Sequence, residues 1–295
     1  MIDRGLISEI QQFVAASGGD GLLHPTPIAG MHLLYDTAPM RLAAQVYDPV
    51  ICLILQGRKE VHLGGRSLSF GAGESVIVTH HLPVIAVVTE ASRERPYIAL
   101  VQAIDLGTIR SLQDALDGLA PDDTPAQSLV AAPTSPPLVE AMVRLFRASL
   151  IPADAQALAP LIRREVHYRL LQADHGGMLR QMLHDDSAAS RIGRVVARLR
   201  AEFARPFAVA EMADLAGMSV SRFHEHFKAI TETTPLQYQK DLRLIEARRL
   251  LLESGQAIST IAFDVGYESP TQFSREYARK YGLSPRQDLA NSRAA

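Results

Sequence analysis

Between about residue 30 and residue 105, apolar residues occur in short runs separated by turn-forming stretches. The runs are VICLILQ, KEVHL, SVIV, PVIAVV and PYIALVQ, and the turns include LGGRS and FGAGE. Strands of four to seven residues joined by short turns usually close into a small barrel or sandwich. The sequence therefore predicts a small β-barrel here, with one short amphipathic helix over residues 2–16 before it.

The apolar period becomes helical from about residue 106. We predict helices over 108–119, 138–150 and 157–173, separated by the proline-bearing stretch 121–137 and by Pro152. The third of them carries an apolar stripe formed by Leu158, Leu161, Ile162, Val166 and Leu170. Such a stripe packs on the barrel or on a second subunit, and periodicity does not decide between the two surfaces.

Residues 191–290 contain an internal repeat with an offset of about fifty. The first copy matches the second at seven pairs of positions, which are Val209/Ile258, Met212/Ile261, Ala213/Ala262, Gly217/Gly266, Phe223/Phe273, Phe227/Tyr277 and Pro235/Pro285. Each copy is a short helix, a glycine turn and a second helix that begins at a capping serine, which is Ser219 or Ser221 in the first copy and Ser269 in the second. This is the layout of a helix-turn-helix unit.

A recognition helix shows polar side chains near its N-terminus, on the face opposite its buried aromatic residues. The sequence predicts base contacts from Ser221, Arg222, His224 and Glu225 in the first unit and from Thr271, Gln272, Ser274 and Arg275 in the second. It assigns phosphate contacts to Lys228, Arg279, Lys280 and Arg286. The competing interpretation, a merely solvated helix face, is disfavoured because the whole layout occurs twice.

The charge distribution agrees with a nucleic-acid partner for the second half only. The 295 residues carry a formal net charge of −2. Residues 1–190 hold 14 Lys and Arg against 20 Asp and Glu, whereas residues 191–295 hold 16 against 12. An excess of four positive charges supports phosphate contact if the arginines cluster on one face.

The repeat region resembles the DNA-binding domain of the AraC/XylS family of bacterial regulators, over about a hundred residues. The resemblance is carried in the first unit by Ala213, Ala216, Gly217, Met218, Ser219, Phe223, Phe227, Lys228, Pro235 and Tyr238, and in the second by Ala262, Gly266, Tyr267, Phe273, Tyr277, Gly282, Leu283, Ser284 and Pro285. The sequence departs from the family pattern at Glu232, where Gly is usual, and at Glu225, where a basic or polar residue is frequent.

Residues 24–175 resemble the cupin-like regulatory domain found in one branch of that family. The matching text is ILQGRKEV, the glycines at 71 and 73, LPV, Ala91 with Ser92, RPYIA and RREVHYRLL. The resemblance implies effector sensing and dimerisation. The expected fold is therefore α+β and multidomain, with a small cupin-like β-barrel and packed helices followed by an all-α double helix-turn-helix domain.

The chemistry of the barrel points to a small effector. The strands are rich in Val and Ile, and the cations Arg58, Lys59 and Arg66 are expected at turns, which predicts an apolar or a reactive effector. Strand parity places Cys52 and Gln56 on one face, so both are candidate effector contacts. The chain has one cysteine, Cys52, which is either a buried small hydrophobe or a reactive thiol.

The sequence offers no metal, cofactor or catalytic site. Adjacent His80 and His81 point to opposite faces of a strand and cannot share one ion, and no catalytic triad spacing or phosphate loop occurs. The alternative to a regulator is a small-molecule-binding or enzymatic cupin with a helical appendage. A specific shift of upstream DNA separates these two classes.

We therefore expect a regulatory domain over 1–183, a linker over 184–190 and a DNA-binding domain over 191–295. The expected partners are double-stranded promoter DNA and a small effector. A second copy of the chain, forming a homodimer, and RNA polymerase are the two candidate protein partners. The N-terminal residues lack a secretory pattern, and no run of eighteen apolar residues occurs, so the sequence predicts a cytoplasmic protein with no membrane partner.

Overall fold

The computed structural model describes residues 4–18, 21–41, 44–112 and 126–294. Helix α1 (Arg4–Ala16) comes first, and short strands follow. The strands are β1 (Leu23–Pro25), β2 (Met31–Asp36), β3 (Met40–Arg41), β4 (Gln45–Tyr47), β5 (Val50–Gln56), β6 (Arg58–Leu63), β7 (Arg66–Gly71), β8 (Glu74–Val78), β9 (Leu82–Glu90), β10 (Tyr97–Ala103) and, beyond the first helices, β11 (Leu129–Pro133).

The strands form two antiparallel sheets. The first has the order β1-β2-β10-β5-β8-β11, and the second has the order β3-β9-β6-β7 with β4 also paired to β9. Strand β5 is buried on both faces: Cys52 and Ile54 face the space between the sheets, whereas Leu53 and Leu55 face the helices. The predicted β-barrel is therefore confirmed, together with the two alternating faces of VICLILQ.

Helices cover the outside of the first sheet. They are α2 (Leu106–Ser111), α3 (Pro136–Ser149), α4 (Pro152–Ala157) and α5 (Ala159–Gln172), followed by a 3₁₀ turn at Asp174–Gly176 and by α6 (Gly177–Met182). The predicted helix over 108–119 begins as α2, and its part from residue 113 onward lies outside the described residues. The stretch 121–137 was expected only to separate helices, but it contains β11, which extends the first sheet by pairing with β8.

The predicted stripe of the third helix is only partly covered. Val166 and Leu170 are fully buried, whereas Leu158 is 44% exposed and Leu161 is 67% exposed. The predicted helix is observed as α5, and Leu158 separates α5 from the preceding short helix α4. Within the described chain only the C-terminal end of the stripe is buried, and α5 packs mainly against α3.

Seven helices form the described C-terminal part. They are α7 (Ala188–Ala201), α8 (Val209–Leu215), α9 (Val220–Thr231), α10 (Pro235–Glu253), α11 (Ile258–Asp264), α12 (Pro270–Tyr281) and α13 (Pro285–Ala294). Residues 188–190, expected to belong to an exposed linker, instead begin α7, because the Ser187 hydroxyl caps the helix by accepting from the Ser190 N–H at 3.0 Å. Ala189 and Ser190 are buried.

The first helix-turn-helix unit shares its apolar core with the barrel. One continuous cluster contains Cys52, Ile54 and Tyr97 from the strands together with Phe227 and Tyr238 from the helices. The second unit has a separate cluster around Phe273 and Tyr277. The two units are therefore attached to the rest of the molecule in different ways.

Candidate DNA interface and regulatory interior

Each recognition helix begins at the serine that the sequence offers. Ser219 caps α9 by accepting from the Arg222 N–H, and Ser269 caps α12 by accepting from the Gln272 N–H, both at 3.4 Å. The preceding turns place Gly217 at φ +62° and Gly266 at φ +88°, in the left-handed region that favours glycine. These local features produce two helices with exposed N-terminal ends.

The polar face of α9 is open. Phe223 and Phe227 are buried with their rings 5.5 Å apart, and they fix which side of the helix faces outward. The predicted contact residues of this unit all lie on the exposed side, and they are Ser221, Arg222, His224, Glu225 and Lys228. Glu225 places a negative charge in the middle of that face.

The second recognition helix, α12, has the same arrangement. Thr271, Gln272 and Arg275 are exposed, and Arg275 lies in a shallow groove of about 490 Å³. Ser274 is half-buried and donates from Oγ to the Pro270 carbonyl at 2.9 Å. The Ser274 hydroxyl is therefore less available than the other three side chains.

Five of the predicted DNA-contacting cations have no ion-pair partner within the described residues: Arg222, Lys228, Arg275, Arg279 and Arg286. Lys280 differs, because its ammonium forms an ion pair with Asp241 and only 16% of its side chain is exposed. A lysine that already neutralises a carboxylate is poorly placed to neutralise a phosphate, so the ion pair disfavours Lys280 as a phosphate contact.

Sequence reasoning missed Arg243, which fixes the two units relative to each other. This side chain of α10 donates to carbonyls on both sides: Nε to Phe203 at 2.9 Å, Nη2 to Ala204 at 3.0 Å and Nη1 to Gly266 at 2.9 Å. Gly266 belongs to the turn of the second unit, whereas residues 203 and 204 precede the first. An arginine fork satisfied by several carbonyls holds them in one geometry.

The barrel contacts the C-terminal end of α9. Arg66 Nη1 lies 2.5 Å from Glu232 Oε1, and the Ser128 N–H donates to the Ile230 carbonyl at 2.9 Å. Glu232 has φ +62°, which explains why Gly is usual here, and its carbonyl oxygen comes so close to Gly64 that a Cβ there would lie 2.0 Å away. The departure from the family pattern therefore adds a carboxylate that binds the barrel.

A second contact joins the barrel to α10 and α7. The Tyr238 hydroxyl donates to the His81 carbonyl at 2.5 Å, and His80 Nε2 lies 3.2 Å from the Ala189 carbonyl. Burial lowers the pKa of His80 to about 4, so the ring is neutral at neutral pH.

The structure separates the two predicted effector contacts. A bulge between Ile98 and Ala99 shifts the pairing of β5 with β10 near Gln56, and the Gln56 amide donates to the Pro96 carbonyl at 2.8 Å. Cys52 instead faces the interior, where burial raises its pKa and keeps the thiol protonated. A protonated, buried thiol is a weak nucleophile, which favours the packing alternative over the reactive one.

Lys59 corrects the expectation that the barrel cations lie at turns. It belongs to β6, and its side chain points inward together with Val61 and Leu63. Arg58 and Arg66 are nearly half exposed, as expected for residues at the ends of strands. The alternation of β6 puts Lys59 on the buried face, and the run GRKE at its start gave no indication of this direction.

The part of the chain that the structure describes contains no helix long and apolar enough to cross a membrane. Across the same residues, no three His, Cys, Asp or Glu side chains are grouped so that they could hold a metal ion.

The geometry defines a helix-turn-helix protein with a β-barrel attached to its first unit, and comparison with known proteins gives the family. The family model for the N-terminus of AraC-type transcriptional regulators matches residues 27–178, and a helix-turn-helix domain model matches residues 212–291. The chain belongs to the family of AraC-type transcriptional regulators.

The relatives in sequence match little more than a third of this chain. The HTH-type transcriptional activator RhaS of Escherichia fergusonii is 33% identical over 103 residues, which cover 35% of this chain and 37% of that protein. The activator RhaR of Klebsiella pneumoniae is 32% identical over 115 residues, which cover 38% of this chain and 41% of that protein. The matched region thus spans about two fifths of the length of these relatives.

Solved structures with the same fold cover nearly the whole chain. An apo variant of ToxT from Vibrio cholerae superposes with a TM-score of 0.58 at 12% identity and covers 90% of this chain and 98% of its own. Wild-type ToxT with a bound unsaturated fatty acid gives a TM-score of 0.55 at 12% identity, with coverage of 87% and 94%. At this identity the comparison shows the fold alone.

Proposed function

We propose that this protein regulates transcription by binding promoter DNA in a sequence-specific manner through α9 and α12, under the control of a small effector received by the barrel. The observation that carries the proposal is the pair of exposed recognition helices, each of which carries an arginine, Arg222 or Arg275, with no ion-pair partner among the described residues. A helix-turn-helix domain model matches residues 212–291, and relatives named as transcriptional activators match part of the chain.

The proposed contacts divide into two kinds. Arg275 is the leading base contact because its guanidinium can bond guanine O6 and N7 together, and Gln272 suits adenine. Gln272 also lies 3.3 Å from Glu276 and would exchange that hydrogen bond for the base. Lys228, Arg279 and Arg286 are the proposed phosphate contacts. If both helices lie on one face of the duplex, they enter successive major grooves about 34 Å apart.

The effector part of the proposal rests on the fold. ToxT, which shares this fold, has been solved with a bound unsaturated fatty acid. The barrel interior and the first unit share one apolar core, so a change inside the barrel reaches the DNA-binding part through packed side chains. The boundaries at 184–190 and RNA polymerase as a partner stay predictions, and so does the homodimer.

The test measures DNA binding of the full chain and its variants to duplexes selected from a random pool by the parent protein. Arg275→Ala should weaken the selected site by about 1 to 3 kcal/mol and relax the preference at one base pair. Arg279→Ala should weaken selected and random duplexes alike and lower the salt slope by about one unit, because one phosphate contact is lost. Arg93→Ala, an exposed barrel arginine, is the control.

Equal losses on selected and random DNA in Arg275→Ala would show that Arg275 does not read a base. Failure of the parent protein to enrich any sequence would remove the whole proposal and favour a small-molecule-binding or enzymatic cupin with a helical appendage.

A further inference from the structure

The barrel interior contains a buried lysine. Lys59 is 4% exposed, and its neighbours on the inward face of β6 are Val61 and Leu63. Its ammonium lies 5.1 Å from the centroid of the Tyr47 ring. Burial lowers the pKa of Lys59, whereas a negative charge beside it, such as ionised Tyr47 or Cys52 would supply, raises that pKa, so the ammonium form is favoured where an anion accompanies it.

No negative charge balances this ammonium in the part of the chain that the structure describes. The ionisable groups that act on it are Tyr47 and Cys52, and no carboxylate lies within ion-pair distance. Burial raises the pKa of Tyr47 and of Cys52, so both are neutral at neutral pH and neither supplies that anion. Buried charges are normally paired, because leaving water without a partner is costly.

Two hydrogen-bond donors accompany the ammonium. The hydroxyl groups of Tyr47 and Tyr97 are buried and make no hydrogen bond of good geometry within the described chain, although Tyr47 lies near the Lys59 amine and Tyr97 near the Cys52 thiol. Tyr97 is fully buried and lies beside Cys52, on the same interior surface. Because more than nine in ten buried polar groups are normally satisfied, an ammonium and two unsatisfied hydroxyls in one interior form an unusual set.

These three groups have complementary chemistry, since all of them can donate and none is a charged acceptor. We propose that Lys59, Tyr47 and Tyr97 form a binding site for the carboxylate of a small organic monoacid. One ammonium balances one negative charge, whereas a phosphate ester would leave excess charge in an apolar interior. The surrounding side chains, Ile54, Phe70, Val76 and Val88 among them, suit an apolar body behind the carboxylate.

The site is placed to influence the DNA-binding part, and in this respect it rests on the proposed function. Tyr47 is the last residue of β4, where it pairs with Leu82 of β9. Both strands pack against α10, the helix that connects the two helix-turn-helix units. Movement of Tyr47 toward a bound carboxylate therefore acts on the surface that supports α10.

The experiment compares acids with their uncharged amides on the full chain. Benzoate and hexanoate are titrated against benzamide and hexanamide, and binding is followed by calorimetry and by the shift in Tm. At least one acid should bind and raise Tm, and its amide should not. Lys59→Met keeps the apolar stem and removes the charge, so it should bind the acid about tenfold more weakly or worse.

Without any acid, Lys59→Met should also raise Tm by roughly 2 °C or more, because the unpaired charge is gone. Arg93→Met removes an exposed cation of the same domain and should change neither measurement. Tyr97→Phe, which deletes one unsatisfied hydroxyl, is the second variant, and it should weaken acid binding without lowering Tm.

Binding of the acid to Lys59→Met with parental affinity would overturn the proposal, as would absence of binding by both acids or equal binding of acid and amide. The selected DNA duplexes separate this failure from failure of the proposed function. If Lys59→Met still binds the selected DNA but no longer binds the acid, both proposals stand. If the parent protein selects no DNA and yet binds the acid, only the proposed function in transcription regulation fails.

Discussion

His80 makes folding depend on pH, because it is buried where the barrel meets α7. It is 3% exposed; Nδ1 lies 2.9 Å from the Ser128 hydroxyl, and Nε2 lies 3.2 Å from the Ala189 carbonyl. Helix α7 approaches so closely that a Cβ on Gly193 would lie 2.8 Å from Nε2. Burial, opposed by the bond to Ala189 and aided by the charge of His81, lowers the pKa of His80 from 6.5 to about 4.

The sign and size follow from this pKa. In the unfolded chain His80 binds a proton below about pH 6.5, whereas in the folded chain its ring stays neutral down to about pH 4. The contribution of His80 to the free energy of unfolding is therefore fully present above pH 6.5 and is lost as the pH falls from 6.5 to 4. One pKa unit corresponds to about 1.4 kcal/mol, so the whole loss is about 3 kcal/mol, and about 2 kcal/mol of it occurs between pH 7.5 and pH 5.

His80→Gln removes this titration, and urea unfolding of parent and variant at pH 7.5 and pH 5 measures the difference. The free energy of unfolding of the parent should fall by about 2 kcal/mol more than that of the variant over this interval. Burial also lowers the pKa of His167 and of His175, but both residues are present in the two proteins and cancel in the comparison. His62→Gln, on the outer face of β6, is the control.

Equal pH dependence in the parent and in His80→Gln would refute the reasoning. A steeper dependence in the variant would mean that His80 is protonated in the folded protein and stabilised by the Ala189 carbonyl.

Three further predictions concern the attachment of the units and the oligomeric state. In a double-mutant cycle of Arg66→Ala and Glu232→Ala, urea unfolding should give a coupling free energy of about 0.5 to 1 kcal/mol. The coupling is small because the Arg66 side chain is 44% exposed, and zero coupling would contradict a stabilising ion pair. Glu232→Gly should be about 1 kcal/mol more stable than Glu232→Ala, because φ is +62°. Leu161→Glu should convert a dimer into a monomer, as measured by light scattering, and should leave the free energy of unfolding of the subunit unchanged, because Leu161 is 67% exposed. A parent protein that is already monomeric would contradict the predicted homodimer.

The sequence predicted those parts of the fold that depend on neighbouring residues. The repeat predicted both helix-turn-helix units because glycine at positions 217 and 266 and serine at 219 and 269 act through bonds within a few residues. The alternation of VICLILQ likewise gave the two faces of β5, because successive side chains of a strand point in opposite directions.

The remaining features depend on contacts between distant residues, which a single sequence does not encode in a readable form. Arg66 and Glu232 are 166 positions apart, and nothing near either one indicates the other. Glu232 was recognised as a departure from the family pattern, but its partner became visible only when the barrel was placed beside α9. A single bulge near Gln56 was enough to separate it from Cys52.

The arrangement of the contacts restricts how the proposed regulation can work. Arg243 bonds carbonyls on both sides of α10, so the two recognition helices keep a fixed relation unless several hydrogen bonds break together. The barrel contacts among the described residues, by contrast, consist of one partly exposed ion pair, a few hydrogen bonds and the shared apolar core at the first unit. The barrel is attached to the first helix-turn-helix unit, and the second unit has its own core. An effector in the barrel is therefore better placed to change how the two units are attached to the barrel than to change the distance between the units.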